Sequence, residues 1–78
     1  MVAKEEVMEK TVHLTGREAE VLRLIARGRS YSQVAAQLGM SANTVATHVK
    51  NAYRKLEVHT AASAVMRAIE LHLIEVGA

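Results

Sequence analysis

The chain has 78 residues, enough for one small domain near the lower limit for a self-sufficient core. Half of it is apolar, but Phe, Trp, Cys and Pro are absent, so the core must come from aliphatic side chains and Met, with no disulfide, thiol nucleophile or thiolate metal site. A net charge of +2 is too small to identify a partner. No apolar run is long enough to cross a bilayer and no signal-like segment opens the chain, so a cytoplasmic protein is expected.

Residues 1–13 are polar and mixed in sign (Lys4, Glu5, Glu6, Glu9, Lys10), with little to bury beyond Val7 and Met8. They read as a flexible N-terminal segment or linker, with a folded unit expected over residues 14–76. Thr15-Gly16-Arg17-Glu18 has the spacing of a capping box, and Leu14 is placed as its hydrophobic staple. Val21, Leu22 and Ile25 mark the apolar face of a first helix over about residues 16 to 27, which Gly28 ends. A second box, Ser30-Tyr31-Ser32-Gln33, opens a short helix over residues 31 to 38 that buries Val34, Ala35 and Leu38. Gly39 supplies the corner, because a tight helix–helix turn favours positive φ. Ser41 caps a longer third helix that runs to Leu56, with Thr44 as a weaker reciprocal partner. A fourth helix is expected from Thr60 to Leu73 or Ile74. No strand alternation, repeat or low-complexity stretch is present.

A short helix, a glycine corner and a longer basic helix make a helix–turn–helix, whose second helix can lie in a DNA major groove. The fold class is therefore all-α, a winged-helix-like three-helix core plus a C-terminal fourth helix. Between Glu20 and Glu57 there is no acidic residue, while Arg23, Arg27, Arg29, Lys50, Arg54 and Lys55 all fall there. That suits a surface facing a line of phosphates. On the third helix, positions three and four apart share a face. Val45, Val49, Ala52 and Leu56 form an apolar stripe that must face the core. Asn43, Thr47, Lys50 and Arg54 form a polar stripe about 200° away. Asn pairs with adenine, Lys donates to guanine, and Thr offers a hydroxyl and a methyl. His48, Asn51 and Lys55 flank this stripe, better placed for phosphates, and the helix amino end suits a phosphate too. Arg29, beside the second helix, is a further candidate contact; Arg17, Arg23 and Arg27 read as a solvated face. Any surface helix shows a polar stripe opposite an apolar one, so the alternative is a helix–turn–helix used for protein interaction or dimerisation.

From residue 14 to residue 74 the chain resembles the LuxR/FixJ-type (GerE-like) DNA-binding domain of bacterial transcription regulators. The residues that carry the resemblance are Leu14-Thr15-x-Arg17-Glu18-x-Glu20-Val21-Leu22, Leu24-Ile25-Ala26-x-Gly28, Ser30, Val34-Ala35, Leu38-Gly39-Met40-Ser41, Thr44-Val45, His48-Val49 and Arg54-Lys55-Leu56-x-Val58. The resemblance implies four helices, with the third in the major groove and the fourth forming a homodimer on a two-fold-related site. It places Ala46, Thr47 and Lys50 toward bases and Thr44, His48 and Asn51 nearer the backbone. It implies the output domain of a regulator, such as a response regulator, with double-stranded DNA as partner in the nucleoid. RNA polymerase and a covalently linked regulatory domain are further implied partners. Three departures stand out. Members commonly carry Lys or Arg where this chain has Ala46. Glu57 replaces the usual glycine after the third helix, which implies a strained or altered helix end. Gly16 replaces a frequent proline.

On the fourth helix, Ala61, Ala64, Val65, Ala68 and Leu71 are placed to pack on the core. A second apolar stripe, Ala62, Met66, Ile69 and Leu73, is expected to form a weak symmetric dimer, the alternative being a broad contact within one subunit. His13, His48, His59 and His72 are too dispersed for a helix-spaced metal pair, so no metal or cofactor is expected. No nucleophile–base constellation or glycine-rich phosphate loop is present, and an enzyme is not expected. Tyr31 and Tyr53 are too few for a stacking platform on single strands. With no Asp in the chain, no phospho-acceptor aspartate lies here.

Overall fold

The computed structural model describes residues 12–75, so the expectation for residues 1–11 and the end of the expected folded unit, residue 76, lie outside the described residues. Four helices follow in order: α1 (Gly16–Ala26), α2 (Tyr31–Leu38), α3 (Ala42–Leu56) and α4 (Ala61–Glu70). No strand occurs among the described residues, in keeping with the expected all-α class. No helix among them is long and apolar enough to cross a membrane.

Each helix starts where a hydroxyl side chain takes over an orphan amide. Thr15 and Ser30 form reciprocal capping boxes with Glu18 and Gln33. The Ser41 and Thr60 hydroxyls accept from the amides of Thr44 and Ser63. These local bonds replace water at donors that the helix itself cannot satisfy, at about 1 kcal/mol each. Each helix also ends on a left-handed residue: Gly28, Gly39, Glu57 and His72, at φ of 90°, 68°, 59° and 60°. Behind them the chain reverses with the paired bonds of a Schellman turn. After α1 the Arg29 amide donates to the Leu24 carbonyl, and after α3 the Val58 amide donates to Tyr53. The αL end at Glu57 is thus kept without the glycine that favours it.

The fourth helix ends earlier than its periodicity implies. It stops at Glu70, where the His72 amide donates to the Ile69 carbonyl (3.0 Å) and the Leu73 amide to Ala68 (2.8 Å). The turn drops Ile74 into the core at 3% exposure and leaves Leu71 out at 43%. Leu73 therefore does not extend an exposed helical stripe; it packs against the domain's own core. Leu71, expected inside, is the residue that the reversal turns out.

Two apolar clusters share α1 and α3. The first joins Val21 and Leu24 to Val34 and Ala35 of α2 and to Val45 and Val49 of the first half of α3. The second joins Leu22 to Ala52 and Leu56 of the second half of α3, to Ala64 and Ala68 of α4, and to Ile74. Val12, Leu14 and Ala19 lie against this second cluster, so the Leu14 staple meets the start of α1. Tyr53 touches both clusters. α1 and α3 each meet all the other helices, whereas α2 and α4 lie on opposite sides and do not touch. α3 is consequently gripped along its whole length on one face, and its other face is left to solvent.

Candidate nucleic-acid interface

The Val45, Val49, Ala52 and Leu56 stripe is buried at 0%, 3%, 0% and 1% exposure. With that face fixed, the helical repeat dictates what points outward. Asn43, Thr47, Lys50 and Arg54 are all exposed, as are Thr44 and Arg29. Ala46, His48, Asn51 and Lys55 are half-buried; the angular reading put the last three on the flanks of the stripe. α2 and α3 carry no acidic residue between them; Glu57 follows at the C-cap of α3.

Several polar side chains here have local partners. The Ser41 hydroxyl accepts from the Thr44 amide at 3.1 Å and lies 3.0 Å from the Thr44 hydroxyl. The Thr47 hydroxyl donates to the Asn43 carbonyl at 3.1 Å. Arg54 donates to the Asn51 side-chain oxygen at 3.5 Å, a long contact between exposed groups. Ser41 thereby sets the start of α3, and the Gly39 reversal, with the Met40 amide on the Ala35 carbonyl, sets its angle to α2.

Lys55 stands apart. Its ammonium donates to Glu18 Oε1 at 2.8 Å, across 37 positions of sequence. The same oxygen accepts from the Thr15 amide at 2.9 Å, so one carboxylate caps α1 and holds α3. Glu18 is 3% exposed, the single buried charged residue of the described chain. Burial alone pushes its carboxyl up. The Lys55 hydrogen bond, the Thr15 amide and the Lys55 charge outweigh burial and hold it below the usual carboxylate value. Sequence reasoning placed Glu18 in the capping box and Lys55 on the phosphate flank, and missed that the two meet. A buried carboxylate on α1 opposite a lysine on the core side of α3 leaves no local spacing that reveals it.

Tyr53, half-buried on α3, has a perturbed phenol. Burial first, then the neighbouring Tyr31 hydroxyl, push the Tyr53 phenol above its ordinary value.

On α4 the exposed apolar residues are Ala62, Met66 (62% exposed) and Ile69 (41%), with Ser63, Arg67 and Glu70 also exposed. Beside them Ile25 and Ala26 of α1 with Ala61, Ala62, Val65 and Met66 line a shallow apolar groove. Of the four residues expected on this face, the structure keeps three together and removes Leu73. No group of three or more metal-binding side chains occurs among the described residues.

Comparison with known proteins matches this geometry to one family. Residues 12–68 match the family model of bacterial regulatory proteins, luxR family. The transcriptional activator protein CarR of Pectobacterium carotovorum is 45% identical over 60 residues, which is 77% of this chain and 25% of CarR. The nitrate/nitrite response regulator protein homolog of Haemophilus influenzae is 49% identical over 57 residues, 73% of this chain and 27% of its own. The chain thus spans about a quarter of the length of these curated relatives. Among solved structures, that of the transcription factor GerE superposes with a TM-score of 0.78 at 33% identity, covering 82% of this chain and 96% of GerE. On sequence, fold and cap geometry together, the chain belongs to the LuxR family of bacterial regulatory proteins.

Proposed function

We propose that this chain is the sequence-specific, double-stranded-DNA-binding output domain of a bacterial transcription regulator, with α3 lying in the major groove. The observation that carries this reading is the outward face of α3. Asn43, Thr47, Lys50 and Arg54 are exposed on the second helix of a helix–turn–helix, and neither of its two helices contains a carboxylate. Ala46, Thr47 and Lys50 face bases, with Asn43 at the entering end. Thr44, His48, Asn51, Arg54 and Arg29 lie nearer the phosphates, helped by the positive end of α3. Lys55 holds α3 to α1 through Glu18, so its charge is largely answered within the domain.

Ala62, Met66 and Ile69 of α4 supply a weak homodimer contact that two adjacent half-sites strengthen. The curated relatives are about three times as long as this chain, which supports a linked regulatory domain as the source of the signal. The domain then acts by occupying an operator or by recruiting RNA polymerase, in the cytoplasm at the nucleoid.

The test is duplex binding as a function of salt, with and without Lys50→Ala. The exposed cations Arg29, Lys50 and Arg54 give a slope of log affinity against log salt of about −3 per domain. Lys50→Ala weakens specific binding by about 1–3 kcal/mol and relaxes base preference at one position. Unchanged affinity and base preference in Lys50→Ala refute the assignment of Lys50. Absence of duplex binding at low salt replaces the reading with a protein-interaction module whose polar stripe is merely solvated.

A further inference from the structure

The first half of α3 is rich in hydroxyls, and the structure shows where their hydrogen bonds go. Ser41 caps the helix and contacts the Thr44 hydroxyl. Thr47 donates its proton to the Asn43 carbonyl one turn back. A threonine bonded in this way has its one donor spent within the helix, which leaves an acceptor oxygen and the methyl to face outward. Thr47 is nonetheless exposed, and Ala46 beside it is half-exposed.

Asn43 and Lys50 each lie three or four positions from both Ala46 and Thr47. Within this group the outer two, Asn43 and Lys50, carry free donors, and the central two offer methyl groups. In the major groove, hydrogen-bonding edges reward the outer pair, with adenine for an amide and guanine for an ammonium. The centre needs an apolar feature, and the groove edge of an unmodified duplex has one, the C5-methyl of thymine.

We infer that the centre of the recognition surface reads thymine methyl groups, with Thr47 and Ala46 as the specificity-determining residues, between bases hydrogen-bonded by Asn43 and Lys50. This rests on α3 being the DNA-facing helix. It gives Ala46 a role beyond the loss of a cation: a small side chain lets the methyl approach.

The experiment selects binding sites from random duplexes, then replaces each selected thymine in turn with 2′-deoxyuridine, which removes only the methyl. The expected result is thymine enrichment at the centre of each half-site and a roughly four-fold loss of affinity for each contacted methyl. Thr47→Ser, which keeps the hydroxyl and drops the methyl, is expected to abolish the sensitivity at one of these positions. An enriched site without central thymines overturns the inference and leaves specific DNA binding intact. So does a site bound equally well with thymine or uracil. Absence of any enriched site overturns the DNA reading itself, and the inference with it.

Discussion

Replacing Glu18 with Gln removes one charge from the centre of the domain and keeps the side chain's size. The amide oxygen of Gln still accepts from the Thr15 amide, where Glu18 accepts at 2.9 Å, so the α1 cap survives. The Lys55 contact, 2.8 Å in the wild type, loses its ionic partner. A hydrogen bond to a charged group contributes about 1.5–3 kcal/mol against about 0.5–1.5 for a neutral one. Breaking a fully buried pair costs more, about 3–5 kcal/mol, because a bare charge is left inside. The Lys55 side chain, however, is 30% exposed and can turn to water, which discounts the larger figure. The expected loss is about 1–2 kcal/mol, or roughly 5–15 °C in Tm for a domain this small. The sign of the pH dependence follows from the depressed carboxyl. A group whose folded-state pKa lies below its unfolded value contributes stability that is fully present above the unfolded value and is lost as pH falls through the folded one. The gap between wild type and Glu18→Gln is therefore full near neutral pH and narrows below about pH 4. Urea denaturation followed by far-UV circular dichroism, at neutral pH and in acid, reads both quantities. Equal stability at neutral pH, or a deficit that does not change on acidification, refutes the assignment of Glu18 and Lys55 as the tie between α1 and α3.

His72 holds φ at 60° in an exposed turn, so His72→Gly removes left-handed strain at some cost in unfolded-state entropy. A net gain of about 0.5–1 kcal/mol in thermal or urea unfolding is expected, and a loss means that the imidazole makes a contact the turn depends on. Met66→Glu places a charge on the exposed side of α4 with folding stability unchanged within about 0.5 kcal/mol. Sedimentation at high concentration should then show weaker self-association, whereas identical profiles put the dimer contact elsewhere. Ala46→Lys adds a cation beside Lys50 and should steepen the salt dependence of duplex binding by about one unit per domain. An unchanged slope means that residue 46 does not face the duplex.

What was legible in the sequence is what local chemistry decides. The two capping boxes and the Gly28 and Gly39 reversals set the starts and ends of α1 and α2 within a residue of expectation. The stripe of Val45, Val49, Ala52 and Leu56 fixed the rotation of α3, and with it the outward face. The end of α4 was not legible. Leu71, Leu73 and Ile74 continue an apolar periodicity with no Gly or Pro among them, and the chain reverses because Ile74 is drawn into the second cluster. The left-handed turn at His72 is thus a tertiary decision. The Glu18–Lys55 pair was hidden for the same reason: both residues had complete local explanations, and only packing α1 on α3 brings them together. Thr47 lies between these cases. Its position was readable from spacing, but the bond that spends its hydroxyl needs coordinates.

The central claim is that the exposed face of α3 reads duplex sequence, and selection from random duplexes at moderate salt, with sequencing of the retained fraction, tests it most directly. The account predicts an enriched, two-fold-symmetric motif. No retention at any salt concentration would contradict it.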